Sequence, residues 1–243
     1  FILTTGMDIL PGSTDNSNDD TFYGVIDIAT PASNTFSSFD SIDGGAGTDM
    51  FSLNMDDDYA AASTLLNIEK FEVRTTADKY FDASGIDGVD SIMSNRSTNK
   101  LTIKSIESIN TKVVMNKLSN VAADLTARYS NTQVAGDSDT VTIDVTGGTG
   151  GVAVGDNKLL VTASTAANGA ENITLNVSGG TAYLGAVEAE AYDAADGGAT
   201  TLAKVTVTGD SNLTIGTALA FAGSGGTLDA ATSTGDVTVT FAG

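Results

Sequence analysis

The sequence predicts an all-β chain, built as an extended parallel β-solenoid or a stack of β-modules, with at most short helices. Three observations carry this reading. Thr, Ser, Gly, Asn and Asp are abundant, with only 2 Pro and no Trp, a composition that favours short strands joined by Gly, Asn and Asp turns. Short units with apolar residues at alternate positions recur: Leu66–Val73 (LNIEKFEV), Lys104–Thr111 (KSIESINT), Ala170–Val177 (AENITLNV) and Leu202–Gly209 (LAKVTVTG). That alternation is the strand period. The units also echo one another. Ile-Glu-x-Phe at 68–71 returns as Ile-Glu-x-Ile at 106–109, and Phe81–Ser84 (FDAS) as Leu228–Ala231 (LDAA). Irregular repetition of short strands suits rungs that are covered by their neighbours. No fixed period emerges, so a sandwich remains the alternative architecture.

Along the chain, residues 1–60 read as an acidic segment and 61–243 as a repetitive strand body, with a sub-boundary near 129–150. In the first segment Leu10, Phe22, Phe39, Ile42, Phe51 and Leu53 are the apolar positions between turn acids. The Ala-containing stretch Asp56–Leu66 is expected to form a short helix or helical turn, with Asp56–Asp58 as its N-cap. Ala186–Ala195 is a second helical candidate, left open. Thr146–Gly151 (TGGTGG), Ser178–Gly180 and Gly223–Gly226 are turns.

Charge divides the chain into three zones. Eleven aspartates and Glu69 precede the first basic residue, Lys70. Residues 70–128 then hold nine of the 11 basic residues, and only Lys158 and Lys204 follow. The formal net charge is −20. Such a field repels phosphate backbones and disfavours nucleic acid as a partner. It also destabilises the compact state unless cations neutralise it; a solvated acidic surface is the plainer reading. The basic middle zone suits head-to-tail contacts between copies, or simply local ion pairing on a solvated face.

The chain has no Cys and no His, which removes disulfides, Ser-His-Asp and Cys-His nucleophile systems, and most zinc sites. No apolar run reaches the roughly 18 residues of a membrane span. The opening Phe-Ile-Leu-Thr-Thr-Gly has neither a basic n-region nor a cleavage site. With the closing Val-Thr-Val-Thr-Phe-Ala-Gly, it reads as a piece of a longer protein.

The most specific motif is Gly44-Gly-Ala-Gly-Thr-Asp49, continued by Met50, Phe51 and Ser52. This matches the calcium-binding nonapeptide, in which glycines are followed by Asp and then an apolar residue two places on. Calcium takes six to eight oxygen ligands. Glycine turns present carbonyl oxygens at Gly45 and Gly47, and Asp49 adds a carboxylate. Asp40 and Asp43 lie just upstream. One nonapeptide supplies only part of a shell, and 8–20 is the expected partner segment, with Asp8, Asn18, Asp19 and Asp20 as donors; an ordinary Asx-rich turn is the alternative. Neither GGAGTD nor TGGTGG is a P-loop, because no Gly-Lys-Ser/Thr follows.

FILTTGMDILPGSTDNSNDDTFYGVI, a short spacer and FDSIDGGAGTDMFSL together resemble the calcium-binding module of RTX-type bacterial S-layer proteins and related large exoproteins. The likeness covers about the first 55 residues. One clean nonapeptide stands here where many relatives carry several in tandem. The resemblance implies a secreted, non-enzymatic protein, exported by a type I system and assembling with Ca2+ into a lattice on the bacterial surface. It carries over Asp8, Asp20, Asp40, Asp43, Gly45, Gly47 and Asp49 as ligands, with Asp19 and Asp20 both open for one position. Expected partners are further copies of the chain and, through regions outside it, cell-surface polysaccharide. A calcium-dependent RTX adhesin or biofilm-matrix protein is the alternative. An extracellular solenoid lyase or hydrolase is a third class, disfavoured by the near absence of Lys and Arg outside 70–128.

Overall fold

The structure is a computed structural model that describes residues 1–10, 18–60, 63–118, 122–148, 157–164, 169–192 and 198–241. Among these the chain is all-β, a parallel solenoid in which strands of one long sheet alternate with strands of shorter sheets. The only helical residues described are a single 3-10 turn at Pro31–Ser33. No helix among them is long and apolar enough to cross a membrane.

Numbering strands in chain order, the long sheet stacks β2 (Thr21–Ile26), β4 (Met50–Met55), β6 (Lys70–Thr75), β8 (Ser91–Asn95), β10 (Lys112–Asn116), β12 (Thr140–Thr146), β14 (Asn172–Ser178), β17 (Lys204–Gly209) and β19 (Thr227–Ser233). Every neighbouring pair is parallel. Three shorter sheets take the intervening strands. The first joins β1 (Ile9–Leu10), β3 (Ser41–Asp43) and β5 (Thr64–Leu66). The second joins β7 (Lys79–Asp82), β9 (Leu101–Ile106), β11 (Leu125–Tyr129), β13 (Lys158–Ala163) and β16 (Ala186–Glu190). The third joins β15 (Ala182–Leu184), β18 (Leu213–Leu219) and β20 (Val237–Phe241).

The alternation in sequence is what makes the core. One register column of the long sheet runs Phe22, Phe51, Phe71, Ile92, Val113, Ile143, Leu175 and Val207. All eight are buried. Facing it, Phe81, Ile103, Ala127, Val161 and Ala189 form a buried column of the second sheet. Like side chains therefore stack rung on rung, and the residues between them take the opposite face, which in the second sheet is itself covered: Thr102, Thr126, Leu160 and Thr162 are buried. Aromatic rings fill the first rungs: Phe36 lies 4.6 Å from Phe51, Phe71 5.6 Å from Phe81, and Tyr59 5.0 Å from Phe81, centroid to centroid. Aliphatic side chains take over beyond.

Successive rungs are about 20 residues apart from Phe51 to Val113 and about 30 beyond it. Connections of unequal length separate strands of equal register, which is why no period shows in the sequence. The expected helix over 56–66 is not found in its described part. Thr64–Leu66 is a strand, and Asp56–Asp58 turn their carboxylates onto neighbouring rungs: Asp56 Oδ1 accepts from the Ile28 N–H at 2.7 Å, and Asp58 Oδ1 from the Tyr80 N–H at 2.9 Å. The open candidate at 186–195 begins as strand β16. Residues 61–62, 149–156 and 193–197, on which parts of these readings and of the TGGTGG turn fall, lie outside the described residues.

Candidate cation site in the acidic rungs

The residue before each long-sheet strand is acidic in most rungs: Asp20, Asp49, Glu69, Asp90, Asp139 and Glu171. In the first rungs these acids form a chain of backbone-to-carboxylate hydrogen bonds. The Asp20 N–H donates to Asp49 Oδ1 at 2.7 Å, and the Asp49 N–H donates to Glu69 Oε2 at 2.7 Å. Asp139 repeats the pattern, donating to Glu171 Oε2 at 2.8 Å. Each carboxylate thereby satisfies an N–H that enters a strand with no ladder partner of its own.

Asp49 stands apart within this chain. It is fully buried, and its Oδ2 has no hydrogen-bond partner. Burial pushes its carboxyl above the ordinary range; the Asp20 N–H opposes this, while the charges of Glu69, Asp20 and Asp19 add to it. Gly44 closes over the group. A Cβ at that position would come 2.6 Å from Asp49 Oδ2 and 2.2 Å from the Asn67 carbonyl oxygen, so only glycine fits. Gly45 and Gly47 carry φ of 90° and 133°, the left-handed side that L side chains resist.

The sequence-proposed donors divide into three groups. Asn18, Asp19 and Asp20 lie against 47–49: Asp19 Oδ1 accepts from the Thr48 N–H at 2.8 Å, and a Cβ on Gly47 would come 2.5 Å from the Asn18 carbonyl oxygen. Asp8 and Asp40 form a second group beside β1 and β3. There the nearly buried Asp40 accepts from the Asp8 N–H at 2.8 Å and the Ser37 N–H at 2.6 Å, and Asp8 accepts from the Thr4 N–H at 2.8 Å. Asp43 forms the third, accepting from the Gly45 N–H at 3.0 Å and Asn67 Nδ2 at 2.7 Å. Glu69 is the member that sequence reasoning missed. Asp15, within the expected partner segment, lies outside the described residues.

These groups meet the demands of calcium in part. The donors are all oxygen and the charge has the right sign. Asp49 Oδ2 is a buried anionic oxygen without a partner. Against this, most of the other carboxylates already accept backbone N–H groups, and among the described residues no three acidic side chains are grouped closely enough to hold a metal ion. Compared with protein-family models, curated protein sequences and solved structures, the chain has no significant match. Fold and site therefore rest on their own residues.

Proposed function

We propose that this chain is a structural module of an extracellular bacterial surface layer, folding and self-assembling in the presence of calcium. The observation that carries the proposal is Asp49, a fully buried carboxylate with an unpartnered oxygen and three further acids among the causes of its shifted pKa. A buried charge without a counter-ion is costly, so a cation there converts binding energy into folding energy. In this reading the ion is held at Asp49 Oδ2, and the charges of Glu69, Asp20 and Asp19 add to the field that attracts it without ligating it together. The first 69 residues contain no Lys or Arg to do that work instead. A stacked parallel solenoid suits a scaffold, because each rung presents the same edge to its neighbours. Cell-surface polysaccharide is a partner only through regions outside the chain.

A metal-free reading is favoured by one set of contacts. The Asp20–Asp49–Glu69 hydrogen bonds close the rungs by themselves, so the acids serve as caps and need no ion. Calcium and magnesium titrations of the purified chain separate the two. The proposal expects millimolar calcium, and not magnesium, to raise the melting temperature and to promote ordered arrays visible by electron microscopy, both reversed by chelation. Identical melting and no arrays in calcium, magnesium and chelator would leave the capping reading in its place.

A further inference from the structure

We propose that the corner after β8 and β10 binds a phosphate group, free or carried as a monoester on a small molecule, with Arg96 and Lys117 holding the oxyanion. Asn95, Asn116, Thr146 and Ser178 end their strands in one register column. The backbone ladder runs one residue further. The Arg96 N–H donates to the Asn116 carbonyl at 2.9 Å, the Lys117 N–H to that of Thr146 at 3.1 Å, and the Gly147 N–H to that of Ser178 at 3.1 Å. Arg96 and Lys117 therefore leave neighbouring rungs side by side, about 4.8 Å apart at the backbone. Like charges set opposite one another in a sheet repel, and among the described residues neither cation makes an ion pair. The acids on the same face are already engaged: Glu72 accepts from Asn95 Nδ2, and Asp144 from Asn176 Nδ2 at 3.2 Å.

The backbone is strained where the two cations sit. The residue after each strand of the column is left-handed: Arg96 at φ 52°, Lys117 at 54°, Gly147 at 70° and Gly179 at 72°. The later rungs use glycine, which adopts this conformation without penalty. The two middle rungs keep long cations where glycine is the easier choice, so their side chains have a use. Lys117 is also given a track. A Cβ on Gly147 would come 2.6 Å from Lys117 Cγ and 3.0 Å from its Cε, so the lysine stem lies across the glycine and is ordered before a ligand arrives. Below the corner Asn116 Nδ2 donates to Asn95 Oδ1 at 2.8 Å and Thr146 Oγ1 to Asn116 Oδ1 at 2.9 Å, which fixes the rungs that carry both cations.

The cleft that Arg96 and Lys117 line with Arg74, Ser97 and Thr98 holds about 410 Å³. That falls within the roughly 300–1,000 Å³ of small-molecule sites and leaves room beyond the anion itself. Among the described residues no aromatic ring lines it, so a neutral sugar has no face to stack on and recognition is by charge. Arg74 also borders the cleft of Asp27 and Asp56, which offset its charge, and it contributes less. Two neighbouring cations suit the double charge of a phosphate monoester. The net charge of −20 repels a longer polyanion and restricts the ligand to one such group.

The site needs neither calcium nor assembly, so it is measured in chelator, and either it or the proposed function can fail without the other. The purified chain is titrated by calorimetry in about 0.05 M salt with inorganic phosphate, glucose 6-phosphate, glucose 6-sulfate and glucose. Glucose 6-phosphate binds one to one with a Kd of about 1 mM or tighter, the singly charged sulfate at least about fivefold more weakly, and glucose not at all. Arg96→Gly with Lys117→Gly removes both charges with a residue that suits the left-handed backbone, so the fold is kept while binding falls at least about tenfold. Independently of any variant, the amide NMR signals of Thr98 and Gly148, which line the same cleft, move with the titration of wild type. Tighter binding of the ester assigns an organic phosphate as ligand, and equal binding assigns the free anion. No saturable binding of either phosphate up to about 10 mM, binding unaltered in the double glycine variant, or shifts confined to other rungs overturns the proposal. A response to glucose equal to that of its phosphate overturns it as well, because the cleft would then read the sugar and not the charge.

Discussion

Replacing Asp49 by Asn removes one buried charge while preserving shape, and the surroundings set the sign of the outcome. The Asp20 N–H keeps an acceptor, but its bond is no longer charge-assisted, a loss of about 1 kcal/mol. The unpartnered anionic oxygen becomes a neutral amide N–H2 that is itself without a partner, so only the extra cost of the charge, about 1–2 kcal/mol, is recovered. The net expectation in chelator at neutral pH is a gain of up to about 1 kcal/mol, or up to about 2–4 °C in melting temperature for a chain of this length. The pH dependence follows from the same carboxyl. Its folded pKa is raised, so between the unfolded value and the raised one the native state binds the extra proton. Wild-type stability therefore falls as pH rises through that window and stays reduced above it. Melting followed by circular dichroism in chelator, stepped from pH 4 to 8, should show this decline flattened in the Asn variant. In calcium the order reverses: wild type gains stability and the variant does not. A variant that melts below wild type in chelator and still responds fully to calcium refutes the reasoning, because Asp49 would then be a satisfied cap.

Four other outcomes are expected. Gly44→Ala places a methyl against the Asn67 carbonyl oxygen and should cost about 1–3 kcal/mol, read as a lower urea midpoint. Phe71→Ala opens the aromatic stack between Phe51 and Phe81 and should cost about 3–5 kcal/mol by the same measurement. Tyr129 is fully buried with no partner for its hydroxyl, and burial pushes that phenol upward. Its absorbance change should appear only on alkaline unfolding, and Tyr129→Phe should be neutral or stabilising by about 1 kcal/mol. Lys117→Gly should relieve left-handed strain and stabilise the chain by up to about 1 kcal/mol after the entropy of the unfolded glycine is counted, read as a higher urea midpoint.

Strand alternation made the fold class legible, because the inward residues of each rung are the apolar ones whatever the connection lengths. The helix expected at 56–66 failed for a tertiary reason. Local Ala content favours a helix, but Leu65 is buried in β5 and the preceding aspartates cap other rungs. Val187 and Ala189 settle the start of 186–195 as strand, since both pack inside in register with Leu159 and Val161. At the site, the glycine motif and the Asn-Asp-Asp run were recognisable as segments, and the structure sets 18–20 against 47–49. The parting of Asp8 and Asp40 from them was not readable, because it depends on β1 and β3 leaving the long sheet. Glu69 was hidden inside a strand phrase. An acid directly before the strand at 20, 49 and 69 was the available signal.

Parallel stacking has a mechanical consequence. A rung of about 20 residues adds only about 4.8 Å to the solenoid axis, yet holds roughly 70 Å of extended chain. Tension applied along the axis loads the strand pairing of a terminal rung first, and each rung that yields lengthens the molecule more than tenfold over its folded contribution while the rungs behind it stay closed. A stack of such rungs gives way stepwise, spending work at every rung, and each released segment finds the template for refolding in the edge of the rung it left.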